Sequence, residues 1–490
     1  MFRAVRTWAD EIGARGGAAE RRWHSFAPQA PGVYARQVRI TSFWAKGYRS
    51  LHDFRIDDLG PFNVFYGKNG SGKSNILAGM ETLFRVLAHR TRPEASFKDP
   101  GKPVGVDWIG HFIRPYDRCN FERTPRMLLG ATLHWTERDQ TENRGWPRFT
   151  ELSVEITYEW EPNRLSITRL RSDDVDLLHL GVQDPENAAF LAIMFEFDAG
   201  YHIDLTWRVQ TFIHQFAHYA FALVGADRYM HTEHADDDDD MDLSALFSAG
   251  RLKEALRRAR EYHDPVVRRR YKQFEALMAS KPLERPPMEI TRSRKAQRLE
   301  LVEIIDDAVY GSREVPVDLA GLGIAQIYHI AAHAVLRASR AVAIEEPEAH
   351  LHAPSTGIQL RQVLERLVSD GYIDQLFIAT HSNLFDLDPE KYYDVSLDGE
   401  NGTVVKARPL SEIDEHHLYE PGPAKHALAG FLRYMDDDAI VYRTSDGQPV
   451  SVREMLDMLQ RDDPLAVEFL RDVHGAAVRA VRVQSKKADQ

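Results

Sequence analysis

Three short stretches of the 490-residue sequence carry side chains at spacings that could do chemistry. The first is Gly67, Lys68, Asn69, Gly70, Ser71, Gly72, Lys73, Ser74 and Asn75. Its glycines let a backbone curl so that successive N–H groups point inward, a cradle for phosphate oxygens. Lys73 would reach the β- and γ-phosphates of a nucleotide, and the Ser74 hydroxyl would ligate Mg²⁺. The second, AVAIEEPEAHLH at residues 341–352, is an apolar run that ends in carboxylates. Glu345 would hold the metal, directly or through water, and Glu346 would serve as general base or water-positioner. The third, LFIATHS at 376–382, ends another apolar run in a polar triplet. There His381 could contact the γ-phosphate and report its presence. His350 and His352 beside Glu348 are read as packing or interface residues rather than metal ligands.

Such residues act only if the chain places them. From about Gln37 the pattern is strand-like, through VRITSFWAKGY and FNVFYG, and then Ile76, Leu77, Met80, Leu83, Phe84 and Leu87 fall at helical spacing. The Gly-rich loop therefore sits between a strand and a helix, the context that phosphate binding requires. Residues 130–210 read as β-rich, and 243–280 as a short helical pair split near Asp264 and Pro265. A strand near 299–305, a helix from about Ile324, a buried strand at 341–344, a helix over 357–368 and a buried strand at 375–379 follow. This alternation predicts a parallel sheet with right-handed crossovers. Residues 411–490 read as mainly helical and charged.

Bulk composition narrows the class. The chain is 43% hydrophobic and 28% charged, an ordinary globular balance. Its single cysteine, Cys119, excludes a disulfide framework and a multi-thiolate zinc site, and fits a reducing cytoplasm. The apolar stretch 211–226 is broken by His214, Gln215 and His218 and is too short to span a bilayer, and the opening residues lack the apolar core of a secretory signal. A net charge of −12 argues against indiscriminate coating of nucleic acid. Charge is nonetheless segregated: residues 236–240 are consecutive Asp, while 251–298 holds fifteen Lys and Arg against six Asp and Glu.

The three motifs in this order resemble the ABC-type ATPase heads of the SMC, RecF and OLD group, often labelled AAA-family ATPases. Tyr48, Arg49 and Ser50 look like that group's opening "FRS" turn, and the IEEPEAHLH run is especially similar to the OLD and related defence ATPases. The resemblance implies an α/β fold: a P-loop ABC-type head with a mixed, largely parallel sheet, an inserted β-rich and helical lid region, and a C-terminal helical segment. The implied partition is an extension at 1–35, the first part of the head at 36–225, an acidic loop and basic helical insertion at 226–298, the second part of the head at 299–410, and the helical segment at 411–490. It also implies ATP and Mg²⁺ as ligands and a cytoplasmic setting. Gly321 and Gly323, in DLAGLG before the Glu345 strand, are the best match to the group's signature. Two heads would pair head-to-tail with each ATP between one phosphate loop and the other copy's signature, so a homodimer is the minimal unit. Glu345 stands where aspartate is commoner, one methylene longer.

The sequence lacks the sustained heptads of SMC arms, and too few residues follow Glu420 for the OLD group's nuclease domain. The expected output is therefore a switch that regulates a separately encoded effector, a nuclease or toxin, as in stand-alone ATPase subunits resembling those of the Septu and PARIS anti-phage systems. The alternatives are a DNA-repair ATPase or an ATP-bound scaffold. Arg257, Arg258, Arg268, Arg269, Arg270 and Lys272 form the densest basic cluster, a candidate double-stranded DNA contact or simply a solvated helical face.

Overall fold

Strands that end in chemistry here are flanked by apolar residues on both faces, and the reason is visible in how they pack. The computed structural model describes residues 38–90, 104–105, 108–119, 125–134, 150–172, 175–176, 213–214, 216–226, 233–234, 246–247, 251–292, 298–307, 311–319, 321–337, 339–349, 351, 354–382, 385, 391–409, 428–429, 432, 435–444, 448–461, 463–466, 469–470 and 473. The extension 1–35, the Asp run 236–240, His350 and His352 lie outside the described residues. The chain divides into two units, Met1–Ala407 and Arg408–Gln490.

In the first unit, β1 (Arg39–Tyr48) and β2 (Leu51–Ile56) form an antiparallel pair, and β3 (Phe62–Tyr66) leads through the Gly-rich loop into α1 (Lys73–Arg90). The helix forms where apolar residues recur on one face: Ile76, Leu77, Met80, Leu83, Phe84 and Leu87 are all at most 1% exposed. Then come β4 (Val104–Gly105), β5 (Arg126–His134), β6 (Glu151–Glu159), β7 (Arg164–Ser172) and β8 (Val175–Asp176), joined antiparallel. After β9 (Phe221–Val224) and β10 (Glu233–His234) come two helices, α2 (Leu252–Glu261) and α3 (Pro265–Ala279). Pro265 is the first residue of α3 and Asp264 caps it by accepting from the Val266 N–H at 2.8 Å, which is why the helical pair breaks there. Strands β11 (Met288–Arg292), β12 (Arg298–Asp307) and β13 (Gly311–Pro316) precede α4 (Leu322–Leu336). The unit closes with β14 (Ala341–Glu345), α5 (Pro354–Ser369), β15 (Gln375–Thr380), β16 (Lys391–Asp398) and β17 (Gly402–Pro409).

Thirteen strands make one mixed sheet in the order β4-β7-β6-β5-β1-β2-β17-β16-β3-β15-β14-β9, with β8 on β7. From β4 to β1 and on to β2 the pairing is antiparallel, whereas β16, β3, β15, β14 and β9 run parallel. Strands β3, β15, β14 and β9 are covered on both faces, so they need no polar alternation. Ala341, Ala343 and Phe377 face one core with α1, while Val342, Ile344, Leu376 and Ile378 face a second with α4 and α5. A smaller four-stranded sheet, β10-β12-β11 with β13 on β12, carries the helical insertion. It is tied to α4 by Glu303, 1% exposed, which accepts from Arg285 Nε and from the Tyr328 hydroxyl, each at 2.7 Å.

Strands β9, β16 and β17 are absent from the sequence expectations. The second unit differs too: beside α6 (Val452–Gln460), which starts on a Ser451–Glu454 capping box, it holds a hairpin of β18 (Ile440–Arg443) and β19 (Pro449–Ser451) around its own small core. The intervening sequence TSDGQ is a turn signal that the helical reading passed over.

The sheet's first and central strands are cross-tied by Gln375, fully buried at the start of β15. Its Oε1 accepts from the Ile40 N–H at 2.9 Å, and its Nε2 donates to Ile40 O at 2.9 Å and Gly60 O at 2.8 Å. Gln375→Leu removes all three of these bonds, leaving Gly60 O only its bond from Asn63 Nδ2 at 2.7 Å, and is expected to cost about 2–4 kcal/mol, read as a lower urea midpoint. An unchanged midpoint would mean that the cross-tie contributes nothing.

Candidate nucleotide site

Parallel register brings the chemical residues to one edge. Phe65 pairs with Ala379, Tyr66 with Thr380, Ala379 with Glu345, and Ile344 with Val224. The chain therefore leaves β3, β15, β14 and β9 at the same carboxyl edge, where ligands of α/β sheets bind. Residues 67–74, Glu345 and Glu346, His381, and Gly225 with Ala226 all lie there.

The loop from Gly67 to Ser74 is held in a curl. Gly70 has φ +79° and Gly72 φ +102°. A Cβ on Gly72 would collide with the Thr403 side chain, and one on Gly67 with the carbonyl of Val395. Lys73 Nζ donates to Gly67 O at 2.7 Å and Lys68 O at 2.9 Å, so the amine lies inside the curl. Burial pushes the Lys73 pKa down, while the carboxylates of Glu346 and Glu348 push it back up. The Ser71 hydroxyl is buried without a hydrogen-bond partner. Lys68, Asn69 and Gly70 are exposed at the loop's outer turn, and α1 presents its positive N-terminal end from Lys73. Asn75 instead turns its amide to the opening turn, donating to Ser50 Oγ at 2.6 Å and accepting from Arg49 at 3.4 Å.

Glu345 is largely buried, and burial pushes its pKa up; hydrogen bonds from the Ser74 hydroxyl and the Ala226 N–H act the other way. Glu346 has φ +43°, a left-handed conformation costing a non-glycine residue roughly 1–2 kcal/mol. Its N–H is anchored on Ala379 O at 2.7 Å, so the side chain leaves the strand end in a direction that a regular strand would not give. Beside it, Glu348 Oε1 accepts from Thr380 Oγ1 at 2.6 Å and from the His381 N–H at 3.1 Å, with His381 Nδ1 also 3.1 Å away.

These features fit a magnesium nucleotide. The Ser74 hydroxyl and Glu345 carboxylate are hydrogen-bonded to each other, two hard oxygen donors at the foot of the phosphate cradle. Among the described residues no group of three or more His, Cys, Asp or Glu could hold a metal by itself.

Gly321 and Gly323 stand apart from this loop cluster in the chain's layout, at the start of α4. Gly321 is its N-cap with φ +108° and open space where a Cβ would lie, and Leu319 and Leu322 beside it are 78% and 47% exposed. Lys253 of α2 grips the neighbouring Asp318 at 2.8 Å. In the basic cluster, Arg257 and Arg258 are bound to the buried Glu254, each at 2.7 Å. Arg268, Arg269 and Lys272 are exposed, and burial together with Arg340 pulls the Arg270 pKa down to about 10.

Three residues at the site had no role in the sequence reading, Thr403, Val395 and Glu348, and Arg49 entered it only as part of the opening turn. Arg49 (φ +47°) pairs with Asp117 at 2.8 Å, and Ser50 shares a hydrogen bond with Thr403 at 2.6 Å. The signal for Glu348 was present, in a third carboxylate two residues beyond Glu346. Thr403 and Val395 come from unforeseen strands and carried none.

A phosphate loop, a Ser–Glu pair and a second carboxylate on one carboxyl edge of a mixed sheet have the layout of an AAA-type ATPase domain. The chain belongs to the family described as AAA domain, putative AbiEii toxin, Type IV TA system, which it matches over residues 62–388, more than half its length. Among solved structures, an SMC head bound to the C-terminal winged-helix domain of ScpA is similar, with TM-score 0.42 and 12% identity over 76% of this chain and 99% of that one. An SMC head with an extended coiled coil bound to the C-terminal domain of ScpA, from Pyrococcus furiosus, gives TM-score 0.40 and 12% identity over 77% and 98%. The SMC head domain from Thermotoga maritima gives 0.37 and 13% over 76% and 99%. No curated protein matches the chain. Among the described residues, no helix is long and apolar enough to cross a membrane.

The raised Glu345 pKa sets a stability prediction. A carboxyl raised by burial favours the fold when protonated, and that contribution fades as pH rises from about 4.5 through the raised value. Glu345→Gln is therefore expected to melt above wild type at pH 8 without nucleotide, the gap narrowing toward pH 5. Equal melting curves at both pH values would show that Glu345 is not held at a cost.

Proposed function

We propose that this chain is an ATP-hydrolysing switch that works as a pair of copies and passes its state to a partner protein. The observation that carries the reading is the convergence of Lys73, Ser74, Glu345, Glu346 and His381 on one sheet edge, with Ser74 and Glu345 already hydrogen-bonded. The residues divide the work. The backbone of 67–74 and Lys73 hold the β- and γ-phosphates and neutralise their charge. Ser74 and Glu345 would hold Mg²⁺, which when bound would supply further neutralisation of phosphate charge. Glu346, aimed by its positive φ, orients the attacking water and accepts its proton. His381 faces the γ-phosphate and responds to its loss.

Gly321 and Gly323 are proposed to close over the nucleotide of a second copy. Support comes from the uncapped, open N-terminus of α4 and the exposed Leu319 and Leu322 beside it. The effector reading draws on the family's description, which names a toxin and a toxin–antitoxin system; a separately encoded nuclease or toxin in anti-phage defence is the partner that reading favours.

The test is ATP turnover with Mg²⁺ by wild type and Glu346→Gln, with oligomeric state followed by light scattering. We expect turnover to fall about 10²-fold or more in the variant, with ATP trapping a dimer. Wild type that binds ATP without turning it over would replace the switch by a nucleotide-bound scaffold.

A further inference from the structure

We infer that Glu348 is the positioning residue of the γ-phosphate sensor, joining the loop after β14 to His381 after β15; this rests on the reading proposed above. Two hydrogen bonds and one nearby ring nitrogen converge on one carboxylate oxygen. Glu348 Oε1 accepts from Thr380 Oγ1 at 2.6 Å and from the His381 N–H at 3.1 Å, and lies 3.1 Å from His381 Nδ1. Thr380 is itself fixed, fully buried and accepting from the Ser382 N–H at 2.9 Å. Among the described residues, nothing donates a hydrogen bond to the second oxygen, Oε2, which is buried.

A carboxylate left half-satisfied in a buried position is costly unless its arrangement is used. Here its use is geometric. The backbone and ring of His381 are both referred to a single atom that hangs from the segment containing Glu346. The Glu348 carbonyl accepts from the Leu351 N–H at 3.0 Å, and the Glu346 carbonyl from the Ala349 N–H at 2.9 Å, so backbone hydrogen bonds tie Glu346 and Glu348 into successive tight turns. A shift of His381 on loss of the γ-phosphate is thereby transmitted to the residue that orients water. Lys73 feels the Glu348 charge as well as that of Glu346, which places Glu348 within electrostatic reach of the phosphate cradle.

The experiment measures binding of ADP and of a non-hydrolysable β,γ-imido ATP analogue by calorimetry with Mg²⁺, alongside kcat and KM for ATP. Glu348→Ala is expected to lower affinity for the triphosphate analogue about tenfold while ADP affinity stays within about twofold of wild type. Its kcat falls, and its KM for ATP rises along with the weaker triphosphate binding. Glu348→Gln keeps an acceptor oxygen for Thr380 and the His381 N–H, and should retain more than half of the triphosphate preference. In the His381→Ala background, Glu348→Ala should add no further loss.

Glu348→Ala that keeps wild-type triphosphate affinity and kcat overturns the inference. So does a full additional loss in the His381→Ala background, or a Gln variant as damaged as Ala. Loss of ADP binding in both Glu348 variants would make Glu348 a folding residue and overturn it too. Wild type without turnover defeats the underlying reading before any variant is made.

Discussion

Five parallel strands in strict register are the constraint on which the site depends. A slip of one residue between β14 and β15 would exchange every side chain between the two cores, turning Val342 and Ile344 into the space of Ala341 and Ala343. The small–large alternation of AVAI is thus a register key: small residues face the crowded α1 side and branched ones the α4 and α5 side. Because the register is fixed by packing, the carboxyl ends are fixed without any contact between the chemical residues themselves. The antiparallel strands do a different task, widening the sheet so that the β1–β2 turn meets the start of α1.

At that edge the local rules of a stable fold are broken several times within a short distance. Glu346 adopts a backbone conformation suited to glycine, Lys73 is drawn down by burial, Glu345 is pushed up by it, and the Ser71 hydroxyl has no partner. Each departure costs stability. Away from the edge two buried carboxylates are instead matched: Glu303 by Arg285 and Tyr328, Glu254 by Arg257 and Arg258. The contrast separates charges kept for ligand from charges kept for architecture.

The motifs were legible because each couples a residue type to a context that sequence alone displays: a Gly-rich turn before a helical period, or a carboxylate pair after an apolar run. The helical pair split at Asp264 and Pro265 was legible for the same reason, since a cap and a proline act locally. What escaped was set by distance along the chain. Strands β16 and β17 have mixed composition, KYYDVSLD and GTVVKARP, and become strands by pairing with β3 and β2 rather than by their own pattern. The basic cluster misled in part, because composition counts Arg257 and Arg258 as surface charge when Glu254 already holds them. Glu348 was visible as a carboxylate, but its connection to Thr380 and His381 depends on two strand ends that only the fold brings together.

The phosphate loop is gripped from outside as well as shaped from within. Val395 presents its carbonyl to Gly67, Thr403 its side chain to Gly72, and Thr403 is pinned to Ser50, which also receives the Asn75 amide. The glycines at 67 and 72 are consequently demanded by neighbouring protein, whatever lies in the cradle. Damage from a side chain at either place would spread outward into the hairpin and the opening turn, so a defect there reports on the scaffold. Lys73, whose removal leaves those outer walls untouched, is the position at which ligand and scaffold can be told apart.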